Sequence, residues 1–247
     1  MPSVTTLPAP PALPDLMAAG PIALFVDFDG TLVEIASGPD AIVVPDTLTA
    51  RLHDLRNRMV GRLALVSGRA LDDLEKHIGS CEIARAGSHG ASCLMADGSR
   101  LGTEPEPLPA DAIHALRDFA QSHDLTYEAK QHGGALHYRA RPDLGEAALA
   151  FARQIAAQHG LVVKTGKAVA ELVHPGADKA GAVRAFMAEA PFAGATPIFI
   201  GDDVTDEDGF AAAIEFSGFG IAVGDRQSEA ARYRLDSVTA VHHWLDL

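Results

Sequence analysis

Cysteine is nearly missing from this sequence, positive charge is in short supply, and no long apolar run occurs. Each shortage removes a class of answer. Two cysteines in 247 residues, Cys81 and Cys93, cannot build a disulfide framework, and no metal-ligand spacing joins them. They are expected to be reduced thiols in a cytoplasmic protein. Against 33 acidic residues stand 20 basic ones, and the net charge of −13 argues against nucleic acid or an anionic membrane as the main partner. An anionic substrate would need locally placed positive charge. No apolar stretch reaches the roughly 18–20 residues that span a bilayer, so membrane insertion is not expected. Residues 1–20, MPSVTTLPAPPALPDLMAAG, lack a basic start and a continuous apolar segment and are repeatedly interrupted by proline. They read as a flexible arm. Internal repeats and low-complexity tracts are also missing.

What is present suits an ordinary globular protein. With 47% hydrophobic residues the chain can bury a sizeable core, as one large domain or as a domain carrying an inserted smaller one. IALFV is an apolar strand that ends in the polar run DFDGT. Leu48, Leu52, Leu55 and Met59 then recur at helical spacing from about Asp46. RLALVSGR is a second apolar strand with a polar turn, ALDDLEKHIG a helix stopped by Gly79, and EIARAG a third strand running into SHGA. Alternating strands and helices imply a doubly wound α/β core with a parallel sheet.

The pattern breaks at the Pro-rich, acidic GTEPEPLPAD. Beyond it come a helix, the hairpin-like LTYEAKQHGGALHYRAR, a second helix and LVVKTGKAVAELV. In ALHYRAR, Leu136, Tyr138 and Ala140 alternate with His137, Arg139 and Arg141, which predicts a strand with one apolar and one cationic face. This middle segment is expected to be a small α+β cap. A helix beginning near Asp178 and the strand leading into GDDVTDE restore the first pattern. The expected division is an arm over 1–20, a Rossmann-like core over 21–103 and 174–247, and a cap over 104–173.

Three strand ends carry chemistry: Asp27 with Asp29, Ser67 with Arg69, and the acidic run from Asp202 to Glu207. Open parallel sheets bind ligands outside the carboxyl ends of their strands, so these turns can converge. Side chains two apart on an extended segment point the same way, which would press Asp27 and Asp29 together. An oxygen-only set of several carboxylates calls for a hard cation, most simply Mg²⁺. Beside that cation, Asp27 can attack phosphorus to give an aspartyl phosphate, and Asp29 can move protons to the leaving alcohol and from the attacking water.

DFDGT, SGR, a downstream lysine and GDDVTDE, in that order, resemble the motifs of the haloacid dehalogenase (HAD) superfamily of phosphotransferases. The longer stretches GATPIFIGDDVTDEDGF and EAKQHGGALHYR resemble its bacterial trehalose-6-phosphate phosphatase family, over most of residues 21–247. That resemblance implies Mg²⁺-dependent hydrolysis of trehalose 6-phosphate, a small phosphorylated disaccharide. It makes Asp27 the nucleophile and Asp29 the acid/base, with a backbone carbonyl that reaches the metal. Ser67 would bind phosphoryl oxygens, Lys179 would steady nucleophile and phosphate, and Asp202 would ligate Mg²⁺ with Asp203 and Asp206 in support. Lys130, His137 and Glu171 match the cap's sugar-recognition positions. Arg69 either contacts substrate or pairs with a carboxylate. The alternatives are a phosphatase for another phosphorylated sugar and a noncatalytic phosphosugar-binding protein. Two positions depart from the pattern: Ala180 follows Lys179 where glycine is usual, and Ser92 stands where an acidic residue is common.

Overall fold

The computed structural model describes residues 7–36, 41–79, 82–103, 106–130, 132–166 and 168–247. In chain order the first elements are helix α1 (Leu13–Ala19), strand β1 (Ile22–Val26), helix α2 (Leu48–Arg58), strand β2 (Leu63–Val66), helix α3 (Leu71–Ile78) and strands β3 (Ala84–Gly87), β4 (Ser92–Leu94) and β5 (Arg100–Leu101). Helix α4 (Ala110–Ser122), strands β6 (Thr126–Lys130) and β7 (Gly133–His137), helix α5 (Gly145–His159) and strands β8 (Val162–Gly166) and β9 (Val169–Val173) follow. The chain closes with α6 (Lys179–Met187), β10 (Thr196–Gly201), α7 (Asp206–Glu215), β11 (Phe219–Val223), β12 (Ala231–Leu235) and α8 (Val238–Leu245).

One sheet has the order β12-β11-β10-β1-β2-β3-β4-β5. Strands β12 to β3 in that order run parallel, while β4 and β5 are antiparallel additions at one edge. Its central strands are apolar throughout because both faces are covered. Leu24 and Val26 face one core cluster with Leu52, Leu55 and Ile200, while Ala23 and Phe25 face another with Phe186, Phe192 and Phe199. From β1 the chain winds outward to β2 and β3 on one side, and later from β10 to β11 and β12 on the other. The carboxyl ends of β1 and β10 therefore flank the point where the winding reverses, the usual place for a ligand in such a sheet.

The chain divides into two compact units, Met1–Gly102 with Asp178–Leu247, and Thr103–Ala177. The inserted unit is an antiparallel sheet of order β6-β7-β9-β8. Leu136, Ala170 and Leu172 on one sheet face form a core with Ala112 and Leu116 of α4 and Ala148 and Ala152 of α5. Register puts Glu128, Lys130, His137, Lys164 and Glu171 on the opposite face.

Three expectations change. Within the described part of the N-terminal arm, residues 13–19 are helical and Leu13 is buried. Pro8 and Pro11 accept hydrogen bonds from the Arg234 amide and the Trp244 indole, which tie that part of the arm to the core. The strand in ALHYRAR stops at His137: the Tyr138 amide still bonds Ala168 O, but residues 139 and 140 form a turn and Pro142 opens a 3₁₀ turn. The chain already turns at residues 139 and 140, and Pro142 has no N–H to give a ladder, so Arg139 and Arg141 do not join a cationic strand face. Strand β1 ends at Val26, so Asp27 and Asp29 do not lie on an extended segment. Of the two cysteines, Cys93 is a buried free thiol whose pKa burial pushes up to about 12, and Cys81 lies outside the described residues.

The rings of Phe25, Phe186 and Phe192 pack with centroids 5.3–6.1 Å apart and all three side chains are fully buried. Phe186→Ala is expected to cost about 3–5 kcal/mol, read as a lower midpoint in urea unfolding with an unchanged slope.

Candidate active site

The end of β1 places Asp27 beside the first residue of α6. Asp178 caps that helix, accepting from the Gly181 amide at 2.7 Å, and so fixes where Lys179 enters the core. Lys179 Nζ donates to Asp27 Oδ1 at 2.7 Å and to Asp206 Oδ1 at 2.6 Å. Lys179 is 3% exposed, Asp27 4% and Asp206 fully buried, so the three charges can persist only by pairing with one another. Burial opposes the lysine's charge, but the carboxylates of Asp206 and Asp27 outweigh it and hold the ammonium above its ordinary pKa. Asp27 moves up from the usual carboxylate range: burial is the main cause, Lys179 opposes it, and Asp206 and Asp202 add to it.

Carboxylate oxygens of Asp27, Asp202 and Asp206 lie within 4.8 Å of one another. A Cβ at Gly30 would overlap the Asp202 carboxylate and one at Gly201 the Asp206 carboxylate, so both turns must be glycine for these acids to approach. Lys179 contacts two of these three carboxylates, and a hard divalent cation matches the all-oxygen donor set. This grouping puts Asp206 itself among the gathered oxygens. The Asp29 carboxylate is elsewhere.

Asp29 is gripped by Arg69, whose Nε and Nη2 reach its two oxygens at 2.6 and 2.7 Å. Arg69 Nη1 donates to Asp73 Oδ2 at 2.7 Å and meets His77 Nε2 at 3.2 Å. Of the two roles open to Arg69, the structure displays the ion pair. The mutual pressure expected between Asp27 and Asp29 is relieved because the chain leaves the strand and each acid meets a different cation. Ser67, at the end of β2 and 1% exposed, accepts the Arg69 amide proton at 3.1 Å, and its own proton remains to be donated. Ser92 is buried on β4 and its hydroxyl accepts from Arg100 at 2.8 Å, a contact within the sheet edge.

In the inserted unit, Lys130 Nζ donates to Glu171 Oε2 at 2.6 Å, and His137 Nε2 to Glu128 Oε2 at 2.7 Å. Glu171 is only 4% exposed, which the alternation of Val169 and Val173 around it does not suggest. Glu128 went unnoticed in the sequence, although its place two residues before Lys130 on the same strand face is a usable signal. The hydrogen bond from His137 holds its carboxyl below the usual range.

Comparison with known proteins decides the lineage. Residues 25–239 match the family model described as trehalose-phosphatase. The chain belongs to the trehalose-phosphatase family. It is 37% identical over 228 residues to the trehalose-6-phosphate phosphatase of Escherichia coli (strain K12), covering 91% of this chain and 85% of that protein. The C-terminal domain of trehalose-6-phosphate phosphatase from C. albicans superposes with a TM-score of 0.82 at 21% identity, covering 99% of this chain and 100% of that one. A HAD-superfamily phosphatase from Bacteroides thetaiotaomicron gives 0.60 at 16% identity, over 100% and 96% of the two chains. The family and these neighbours agree with a HAD core that carries an inserted cap.

Removing the ammonium strands two buried carboxylates. Lys179→Met is expected to lower stability by about 3–5 kcal/mol in metal-free urea unfolding. A midpoint equal to wild type would show that the bridge does not hold these elements together.

Proposed function

We propose that the chain hydrolyses trehalose 6-phosphate to trehalose and phosphate in the cytoplasm, with Mg²⁺ and through a phosphorylated Asp27. The observation that carries this reading is the Lys179 bridge between Asp27 and Asp206 with Asp202 alongside, in a chain of this family. Among the described residues no helix is long and apolar enough to cross a membrane.

The roles proposed here draw on the geometry and on the family resemblance. Lys179 occupies Asp27 Oδ1, which leaves Oδ2 to form the bond to phosphorus as the bond from phosphorus to the sugar oxygen breaks. Asp29 gives its proton to that departing oxygen. It then takes a proton from water, whose oxygen bonds to phosphorus while the bond to Asp27 breaks. Both Asp29 oxygens accept from Arg69, so Asp29 must be released from that fork before it can serve the leaving oxygen. The phosphate dianion supplies the release by competing for the same guanidinium fork, which makes Arg69 a substrate contact as well. Ser67 donates its hydroxyl proton to a phosphoryl oxygen. Asp27, Asp202 and Asp206, with the backbone carbonyl of Asp29, would hold Mg²⁺, which when bound neutralises charge building on the phosphoryl group. Lys130, His137 and Glu171 bind sugar hydroxyls through charge-assisted hydrogen bonds.

Asp27→Asn is expected to reduce phosphate release from trehalose 6-phosphate by at least about a thousandfold, and Asp29→Asn by 10²–10⁴-fold. Excess chelator should stop the wild-type protein and added Mg²⁺ should restore it. Near wild-type turnover by folded Asp27→Asn protein would sink the covalent route, and full activity in chelator after dialysis would sink the metal.

Sugar recognition is tested by a ratio. Alanine at Lys130, His137 or Glu171 should lower kcat/KM for trehalose 6-phosphate about ten- to hundredfold, the loss of one charge-assisted hydrogen bond of roughly 1.5–3 kcal/mol, yet spare a small aryl phosphate. If all three variants keep the wild-type ratio of the two substrates, the cap residues do not read the sugar.

A further inference from the structure

The loop that carries Asp202 is held from two sides, and only one of them belongs to the cluster described above. On the inner side, Asp206 Oδ2 accepts the Asp203 amide at 2.8 Å while its other oxygen meets Lys179. On the outer side stands Arg226, three residues beyond β11 and just past the left-handed turn at Gly224. Its Nε donates to the Asp202 carbonyl at 3.1 Å and its Nη2 to the Asp203 carbonyl at 3.0 Å. The same Nη2 meets Glu207 Oε1 at 2.7 Å, on the first turn of α7.

Arg226 does not swing freely. Glu207 Oε2 accepts from the Ser228 hydroxyl at 3.1 Å and the Ala230 amide at 3.0 Å. Arg226 Nη1 bonds Gln227 O at 2.8 Å, and its own carbonyl accepts from Arg234 on β12 at 2.8 Å. The fork thus fastens two successive carbonyls of the β10–α7 loop to the neighbouring β11–β12 loop. A guanidinium suits this task because its donors lie in one rigid plane, and an ammonium cannot span both carbonyls with fixed geometry.

We infer that Arg226 is a positioning residue that aims the Asp202 carboxylate at the divalent-cation site and thereby sets the cation's affinity. The inference rests on the metal reading proposed above. Two effects of Arg226 oppose each other, which makes it testable. As a positive charge against the loop that carries Asp202, paired with the Glu207 carboxylate, it weakens the pull on a cation. As a fork on the loop backbone it preorganises Asp202. If positioning dominates, removing it loosens metal binding; if charge dominates, removing it tightens binding.

The experiment is calorimetric titration of Mg²⁺ into the purified full-length chain, for wild type, Arg226→Gln and Arg226→Lys, with circular dichroism and a thermal melt of each metal-free protein. Loss of an outer contact to a ligating group typically costs 10–100-fold in metal affinity, and both variants are expected to fall in that range although the lysine variant keeps the charge. Arg184→Gln, which breaks an exposed ion pair with Glu215 at the far end of α7, lowers the melting temperature if anything and leaves the Mg²⁺ affinity at the wild-type value. Unchanged or tighter Mg²⁺ binding by folded Arg226→Gln, or wild-type affinity in Arg226→Lys, would overturn the positioning role. Should Arg226→Gln fail to fold, the lysine variant decides. A wild-type chain that binds no Mg²⁺ would instead remove the metal reading, and the inference with it.

Discussion

A single buried ammonium group organises the core. Lys179 is stripped of water, so its charge is tolerable only with carboxylates in contact, and it finds them on Asp27 and Asp206. Those three residues come from the end of β1 and the starts of α6 and α7. Satisfying one cation therefore brings three separate stretches of chain to a common point at the reversal of the sheet's winding.

The apolar scaffold makes that point rigid. Both faces of β1 are covered, by Leu24 and Val26 on one side and Ala23 and Phe25 on the other, so the strand cannot shift without emptying a core. Glycine at 30 and 201 lets the acidic turns close to within contact. Asp29 follows different rules, since its partner is an arginine held in place by Asp73 and His77. The inserted unit repeats the logic on a smaller scale: one sheet face is sealed by α4 and α5, and the other pairs Lys130 with Glu171 and His137 with Glu128.

Much was legible in the residues themselves. Apolar runs ending in DFDGT, SGR and GDDVTDE announced strands whose carboxyl ends bear polar chemistry, and the Pro-rich break announced the insertion. Asp27, Ser67 and Asp202 were picked out in this way, and Lys179 through the family resemblance. What escaped were facts of direction. Periodicity suggested that Asp27 and Asp29 face each other, because it assumed an extended chain that in fact ends at Val26. It carried a strand through Arg139 and Arg141, because alternation persists in the letters past His137, where the chain turns. It gave no sign that Glu171 is buried, because burial beside Lys130 requires β6 and β9 to lie across β7.

The sequence by itself determined the fold class and the family, since these depend on residue type and local order along the chain. Tertiary structure alone decided which charge meets which. Asp27 with Lys179, Asp29 with Arg69 and Glu207 with Arg226 are pairings across 19 to 152 positions. Distances of that kind are set by how strands stack in the sheet, and local spacing carries no record of them.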